Sequence, residues 1–184
     1  IAGGRGPAMQ FVKEFQIDLP DEFPSAEYHD YWEASSAVLH DPEKGAAWAE
    51  FAGASNLIGW RFRSCFEAMS WYLESWRARG YDVKHEEIYQ RESGLFSMFS
   101  SGVSTLESTV YSLYAVASHP KVLAVSFGAD DQRRAGVKSL QSALGTTARA
   151  EPLAEALGMI LAAPEWERWV EFRNRMTHRS NLPR

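Results

Sequence analysis

The 184-residue sequence contains one cysteine, Cys65, and this scarcity already limits what the protein can be. A single cysteine excludes an internal disulfide and fits a reducing compartment, so we expect a cytoplasmic protein. Cys65 lies within an apolar helical stripe, which favours a buried structural thiol over a nucleophile. The sequence also lacks a cleavable signal peptide and any apolar run long enough to span a bilayer, so we predict no membrane association.

Positive charge is scarce as well, because 19 lysines and arginines face 24 acidic residues and the net charge is -5. This balance argues against nucleic-acid binding over the whole surface, so any phosphate contact must come from a local basic patch. Four of the five histidines are scattered without the spacing of metal ligands: His29, His40, His85 and His119. We therefore predict no metal site and no cofactor.

Aromatic residues, by contrast, are abundant at 13%, with seven tryptophans, which is typical of a folded globule. Apolar residues recur at helical spacing through about 43–79, 85–118 and 165–178. The pattern predicts an all-α fold, an antiparallel helical bundle built around these three helices. We expect one domain over residues 9–184, preceded by a flexible or processing-derived N-terminus at residues 1–8.

The remaining segments give weaker signals. Alternating apolar residues from Phe11 to Leu19 predict an extended segment, or one short strand, lying on the domain. Ser25 is placed to cap a helix that runs to about Leu39. Residues 121–150 contain one weak helix and are interpreted as a lid or peripheral element, and a short helix is predicted from Pro152.

The C-terminal stretch, PEWERWVEFRNRMTHRSNLPR, contains the local basic patch that the rest of the chain lacks. Pro164 and the glutamates that follow it favour a helix start. Trp166, Trp169 and Phe172 then form one apolar face, which Arg173 borders. From Phe172 to the end there are four arginines, one histidine and no acidic residue.

The residues from Arg173 to His178, RNRMTH, resemble the motif on the final helix of the HEPN superfamily: arginine, a polar residue, three further residues and histidine. A second match to the spacing, Arg79 to His85, spans Gly80 and is interpreted as a chance hit in a loop. Residues 91–116, RESGLFSMFSSGVSTLESTVYSLYAV, carry a vaguer likeness to an uncharacterised bacterial branch of that superfamily.

The resemblance implies a metal-independent endoribonuclease, of a kind that often serves as a toxin or antiviral effector. It implies a homodimer with the site at the two-fold interface, single-stranded RNA as substrate and an antitoxin protein as a partner. In that scheme His178 moves the proton, Arg173 stabilises the phosphate and Asn174 orients the substrate or the histidine. Arg175 and Arg179 would position the RNA backbone.

Two further residues lie on α-helical positions beside the apolar face of the segment 85–118. Tyr111 belongs to a polar stripe with Ser104 and Ser108, and Glu107 and Tyr114 lie one step further round the helix. Such a stripe is either solvated or internally hydrogen-bonded, or else Glu107 or Tyr111 faces the same cleft as His178 and contacts substrate.

A structural interpretation stands beside the enzymatic one. Arginines next to an apolar stripe can simply pair with a neighbouring helix, and a histidine at a helix end can cap carbonyl groups. The superfamily also has members without catalytic activity. The alternative is therefore a non-catalytic helical interaction module or nucleotide-binding module.

Overall fold

The structure is a computed structural model that describes residues 8–40 and 45–178. The elements in chain order are β1 Met9–Val12, β2 Ile17–Pro20, α1 Ser25–Leu39, α2 Gly45–Arg79, α3 His85–Ala117, α4 Ala129–Arg133, α5 Val137–Leu144, a short 3-10 turn at Ala148–Ala150, α6 Glu151–Ala162 and α7 Pro164–His178. This confirms the predicted all-α bundle. Within the described ranges, no helix is both long enough and apolar enough to pass through a bilayer.

Helices α2 and α3 form a long antiparallel hairpin that supports the other elements. Gly80 ends α2 with a φ of +52°, a left-handed conformation that glycine adopts without strain. Arg91 then joins the two helices near this turn, because its guanidinium donates to the Ser75 carbonyl at 2.8 Å and to the Gly80 carbonyl at 2.6 Å. The same guanidinium lies 4.6 Å from the centre of the Trp76 ring.

The N-terminal segment differs from its prediction, because it folds into two antiparallel strands rather than one. β1 and β2 pair with Met9 opposite Pro20 and Val12 opposite Ile17. The chain reverses through Gln16, whose φ is +56°. The sequence has no Asn-Gly or Gly-rich pair here, so the usual hairpin signal was missing. The hairpin buries Phe15 against α2 at Gly59, where an added Cβ would lie 2.8 Å from the ring.

Two local predictions were wrong. Ser25 does not cap α1, because it is the first helical residue and its hydroxyl donates to the Phe23 carbonyl at 3.3 Å. The segment 121–150 is not a lid, since α5 buries Val137, Leu140 and Leu144 in the main core. These residues are three and four apart, which gives one apolar face, but a helix of eight residues is too short for that face to stand out in sequence.

We expect the close approach of α7 to α3 to depend on Gly102, because a Cβ at that position would clash with the Trp169 ring. Gly102→Ala should lower the free energy of unfolding by about 1–2 kcal/mol, since overpacking outweighs the gain in helix propensity. The matched control is Gly53→Ala on α2, where a Cβ meets nothing within 4 Å. This control should raise the stability by about 0.5–1 kcal/mol. Urea unfolding measures both, and equal effects would contradict the prediction.

Candidate functional site

Helix α7 is held on α3 by aromatic side chains. Its first turn contains Glu165 and Glu167, which favour the positive end of the helix dipole. Phe99 of α3 contacts both Trp169 and Phe172, with ring centroids 5.0 Å and 5.1 Å apart. Because these contacts lie in the second half of α7, they fix the position of the motif that follows.

Arg173 extends from this anchored part of α7 to Glu107 of α3. Its Nη2 lies 3.4 Å from Glu107 Oε1, and the two side chains are 29% and 45% exposed. Arg173 Nε is buried and has no hydrogen-bond partner among the described residues. A guanidinium can donate five hydrogen bonds, so the exposed part of this one retains donors that an anionic ligand could use, whereas the buried Nε is not accessible to a ligand.

The other motif residues have different surroundings. Asn174 is exposed, and Arg175 pairs with Glu171 one turn earlier on the same helix. Thr177 donates its hydroxyl hydrogen to the Arg173 carbonyl at 2.8 Å. His178 is the last residue of α7, but its side chain and all of Arg179 lie outside the described residues. The structure therefore brings Arg173 to Glu107 and leaves Asn174 facing solvent.

Glu107 and Tyr111 line one cleft, a cavity of about 370 Å³ between α2 and α3. The Tyr111 hydroxyl donates to Glu50 Oε2 at 2.7 Å. The lining residues are Ala49, Glu50, Gly53, Ala54, Leu57, Arg61, Glu107, Ser108, Tyr111 and Ala135. The polar residues of α3 therefore form hydrogen bonds to α2 and also line a cleft. Glu107 connects this cleft to Arg173, because it lines the cleft and contacts the guanidinium.

Sequence reasoning missed two residues of this cleft, Glu50 and Arg61. Arg61 is half-buried, and its Nη1 donates to the Ser104 carbonyl at 3.1 Å and to Ser108 Oγ at 2.5 Å. The available signal was the spacing of eleven residues between Glu50 and Arg61, which places both on one helical face.

Burial raises the pKa of two side chains on the α2–α3 hairpin, Tyr111 in the cleft and Cys65 outside it. Burial, with the hydrogen bond to Glu50 and the charge of that carboxylate, raises the pKa of Tyr111 to about 12. Burial also raises the pKa of the Cys65 thiol to about 11, which keeps it protonated and unreactive at neutral pH. Cys65 lies in a separate apolar cavity between α2, α3 and α7.

Within residues 8–40 and 45–178, no three histidine, cysteine, aspartate or glutamate side chains converge in a way that could hold a metal ion. Comparison with protein-family models, curated proteins and solved structures found no match.

The contact between Tyr111 and Glu50 predicts how the cleft responds to pH. In Glu50→Gln the pKa of Tyr111 should fall from about 12 toward 10, because the neutral amide no longer opposes formation of the phenolate. The fall should be incomplete, since burial is the largest cause of the increase. Carbon-13 NMR titration of labelled tyrosines measures this, with Tyr111→Phe to assign the signal. An unchanged pKa would show that Glu50 does not accept the hydrogen bond.

Proposed function

We propose that this protein cleaves single-stranded RNA without a metal ion, with Arg173 and His178 as the catalytic pair. The observation that carries the proposal is the Arg173 guanidinium at the edge of the cleft. It is joined to the scaffold by one 3.4 Å contact, and 29% of its side chain is exposed. A permanently charged group with unused donors suits a phosphodiester, which offers two oxygens to one guanidinium.

The reaction uses a nucleophile that the RNA itself supplies. The 2'-hydroxyl oxygen attacks the adjacent phosphorus, and His178 removes the hydroxyl proton because imidazole titrates near neutrality. The bond from the 2'-oxygen to phosphorus forms as the bond to the 5'-oxygen breaks. The leaving 5'-oxygen takes up a proton from an imidazolium or from water. The products are a 2',3'-cyclic phosphate and a 5'-hydroxyl, and Arg173 stabilises the charge that develops on the phosphate.

Glu107 holds Arg173 in place, and the phosphate of the substrate must displace the Glu107 carboxylate from the guanidinium. An ion pair between partly exposed side chains contributes about 0–1 kcal/mol, so a phosphate that makes two charge-assisted hydrogen bonds can displace it. Asn174 then orients the substrate or the histidine, and Tyr111 contacts the nucleotide. Arg175 and Arg179 hold neighbouring phosphates, which sets the register of the strand without reading its sequence.

The proposal includes a homodimer with the two α7 helices close to the two-fold axis. Residues five apart on an ideal helix point about 140° away from each other, so one chain converges Arg173 and His178 poorly. A second chain would complete the site. Carboxylates beside the arginines, such as Glu107 and Glu171, reduce the repulsion between the two basic motifs. A cytoplasmic toxin or antiviral effector, controlled by an antitoxin protein, is the biological role that the motif suggests.

The homodimer can be tested by electron paramagnetic resonance distance measurement. In a Cys65→Ala background, a spin label at Thr177→Cys should give a short distance between protomers, because the end of α7 lies near the axis. The control label at Glu155→Cys, an exposed position on α6, should give a longer distance. A monomeric mass at high concentration in solution scattering would contradict the arrangement.

A specific observation favours the alternative, a non-catalytic interaction module. Five large aromatic side chains of the α2–α3 hairpin are exposed, namely Trp60 at 55%, Trp71 at 41%, Tyr81 at 91%, Tyr89 at 66% and Phe96 at 43%. Large exposed apolar patches on a folded domain commonly mark a surface that binds a partner. If the protein is such a module, Glu107 and Glu171 would remain paired with Arg173 and Arg175 and would not be displaced by a phosphate.

Catalysis distinguishes the two functions. Purified protein in excess chelator should cleave a pool of single-stranded RNA and leave 2',3'-cyclic phosphate ends. His178→Ala should lower the rate roughly a hundredfold or more through loss of the proton-transfer group. Arg173→Ala should lower it roughly 10²- to 10³-fold through loss of charge stabilisation. Arg175→Ala should instead weaken binding and reduce its salt dependence.

The matched control is Arg168→Ala, which removes an exposed arginine from the same helix and should leave the rate unchanged. If no RNA is cleaved, or if both Arg173→Ala and His178→Ala keep full activity, the interaction module becomes the better account.

A further inference from the structure

The cleft between α2 and α3 is lined by small apolar residues, an aromatic residue and a few charged side chains. Small residues of α2, Ala49, Gly53 and Ala54, line one side, and a Cβ added at Gly53 would meet nothing within 4 Å. Tyr111 of α3 contributes an aromatic ring to the opposite side. The volume of about 370 Å³ falls within the range of small-molecule pockets. A planar, uncharged ring could therefore enter between the two helices.

The rim of the cleft requires both donors and acceptors from its ligand. Glu50 and Glu107 are carboxylates and only accept hydrogen bonds, whereas Arg61 only donates them. The contacts within the protein use one oxygen of each carboxylate, Glu50 Oε2 for Tyr111 and Glu107 Oε1 for Arg173. They use one nitrogen of Arg61, Nη1, for Ser104 and Ser108. Each of the three side chains thus has a further polar atom that a ligand could engage.

We propose that this cleft is a nucleobase site that selects guanine. Guanine carries ring and exocyclic N–H donors beside its O6 and N7 acceptors, so a carboxylate and a guanidinium can bind it together. Adenine has a donor where guanine has O6, and cytosine likewise presents an amino group, so both would place a donor against Arg61. Uracil keeps one carbonyl acceptor and one ring N–H, but it lacks the second donor and the N7 acceptor of guanine and so makes fewer hydrogen bonds. The Tyr111 ring would stack on the base, as aromatic side chains do with unpaired bases of RNA.

The position of this site relative to Arg173 gives it a role in cleavage, and that role rests on the proposed function. Glu107 lines the base cleft and also contacts Arg173, while the next residue, Ser108, accepts a hydrogen bond from Arg61. The two arginines therefore contact consecutive residues of α3. A guanine in the cleft would place its own phosphate near Arg173, which predicts cleavage at the phosphate beside a guanosine.

Nucleotide binding tests the base site without requiring catalysis. Isothermal titration of the full chain should show binding of guanosine and GMP, with AMP, CMP and UMP weaker by roughly tenfold or more. Gly53→Leu should abolish guanosine binding by filling the cleft, and Glu50→Gln should weaken it roughly tenfold. Glu74→Gln, an exposed glutamate of the same helix that does not line the cleft, is the control and should bind as the unmodified chain does.

Two comparisons separate this inference from the proposed RNase activity. Equal affinity for the four monophosphates, or guanosine binding that survives Gly53→Leu, overturns the base site even if RNA is cleaved. Selective guanosine binding without any RNA cleavage supports the base site and contradicts the RNase. A separate comparison shows whether the base comes from an RNA strand or from a free nucleotide. The affinity of the His178→Ala variant for an oligoribonucleotide with one guanosine is compared with its affinity for GMP. Tighter binding of the oligoribonucleotide assigns the base to an RNA strand, and equal affinity assigns it to a free nucleotide.

Discussion

The pairing of α2 with α3 is the constraint on which the rest of the structure depends. Most of the stability of a helix in a protein comes from the packing of one face rather than from helix propensity. Much of this seam is polar, since Arg61 reaches Ser108 and Tyr111 reaches Glu50. Polar groups that leave water must find partners, so the hydrogen bonds allow one register of the two helices. A shift by one helical turn would break all of them together.

The second constraint is the close contact of α7 with α3, which positions the motif. Gly102 provides the space for Trp169, and Arg173, four residues later on α7, contacts Glu107 of the cleft. The neighbours of this arginine are acidic, in a chain with a net charge of -5. An anion that binds here must therefore displace carboxylates, and affinity depends on hydrogen-bond geometry more than on general positive potential.

The cleft and the α7 motif share one physical support. Glu107 contacts Arg173 and lines the cavity, so a ligand that moves this carboxylate changes both places at once. Rigid helices hold polar groups more accurately than loops do, which suits recognition of a base beside the phosphate that reacts. The exposed aromatic residues of the same hairpin, such as Trp60 and Trp71, lie outside this cleft and leave α2 with a second surface that a partner could cover.

The sequence alone determined the all-α class and the bounds of the long helices, because the period of 3.6 residues and the breakers such as Gly80 act within one segment. It also placed Arg173 on a C-terminal helix. Only the tertiary structure decided that Arg173 meets Glu107, 66 residues earlier, and that Arg61 faces Ser108. It likewise decided that α5 belongs to the core. Periodicity shows which face of a helix is buried, but the partner of that face depends on register and packing between elements distant in sequence.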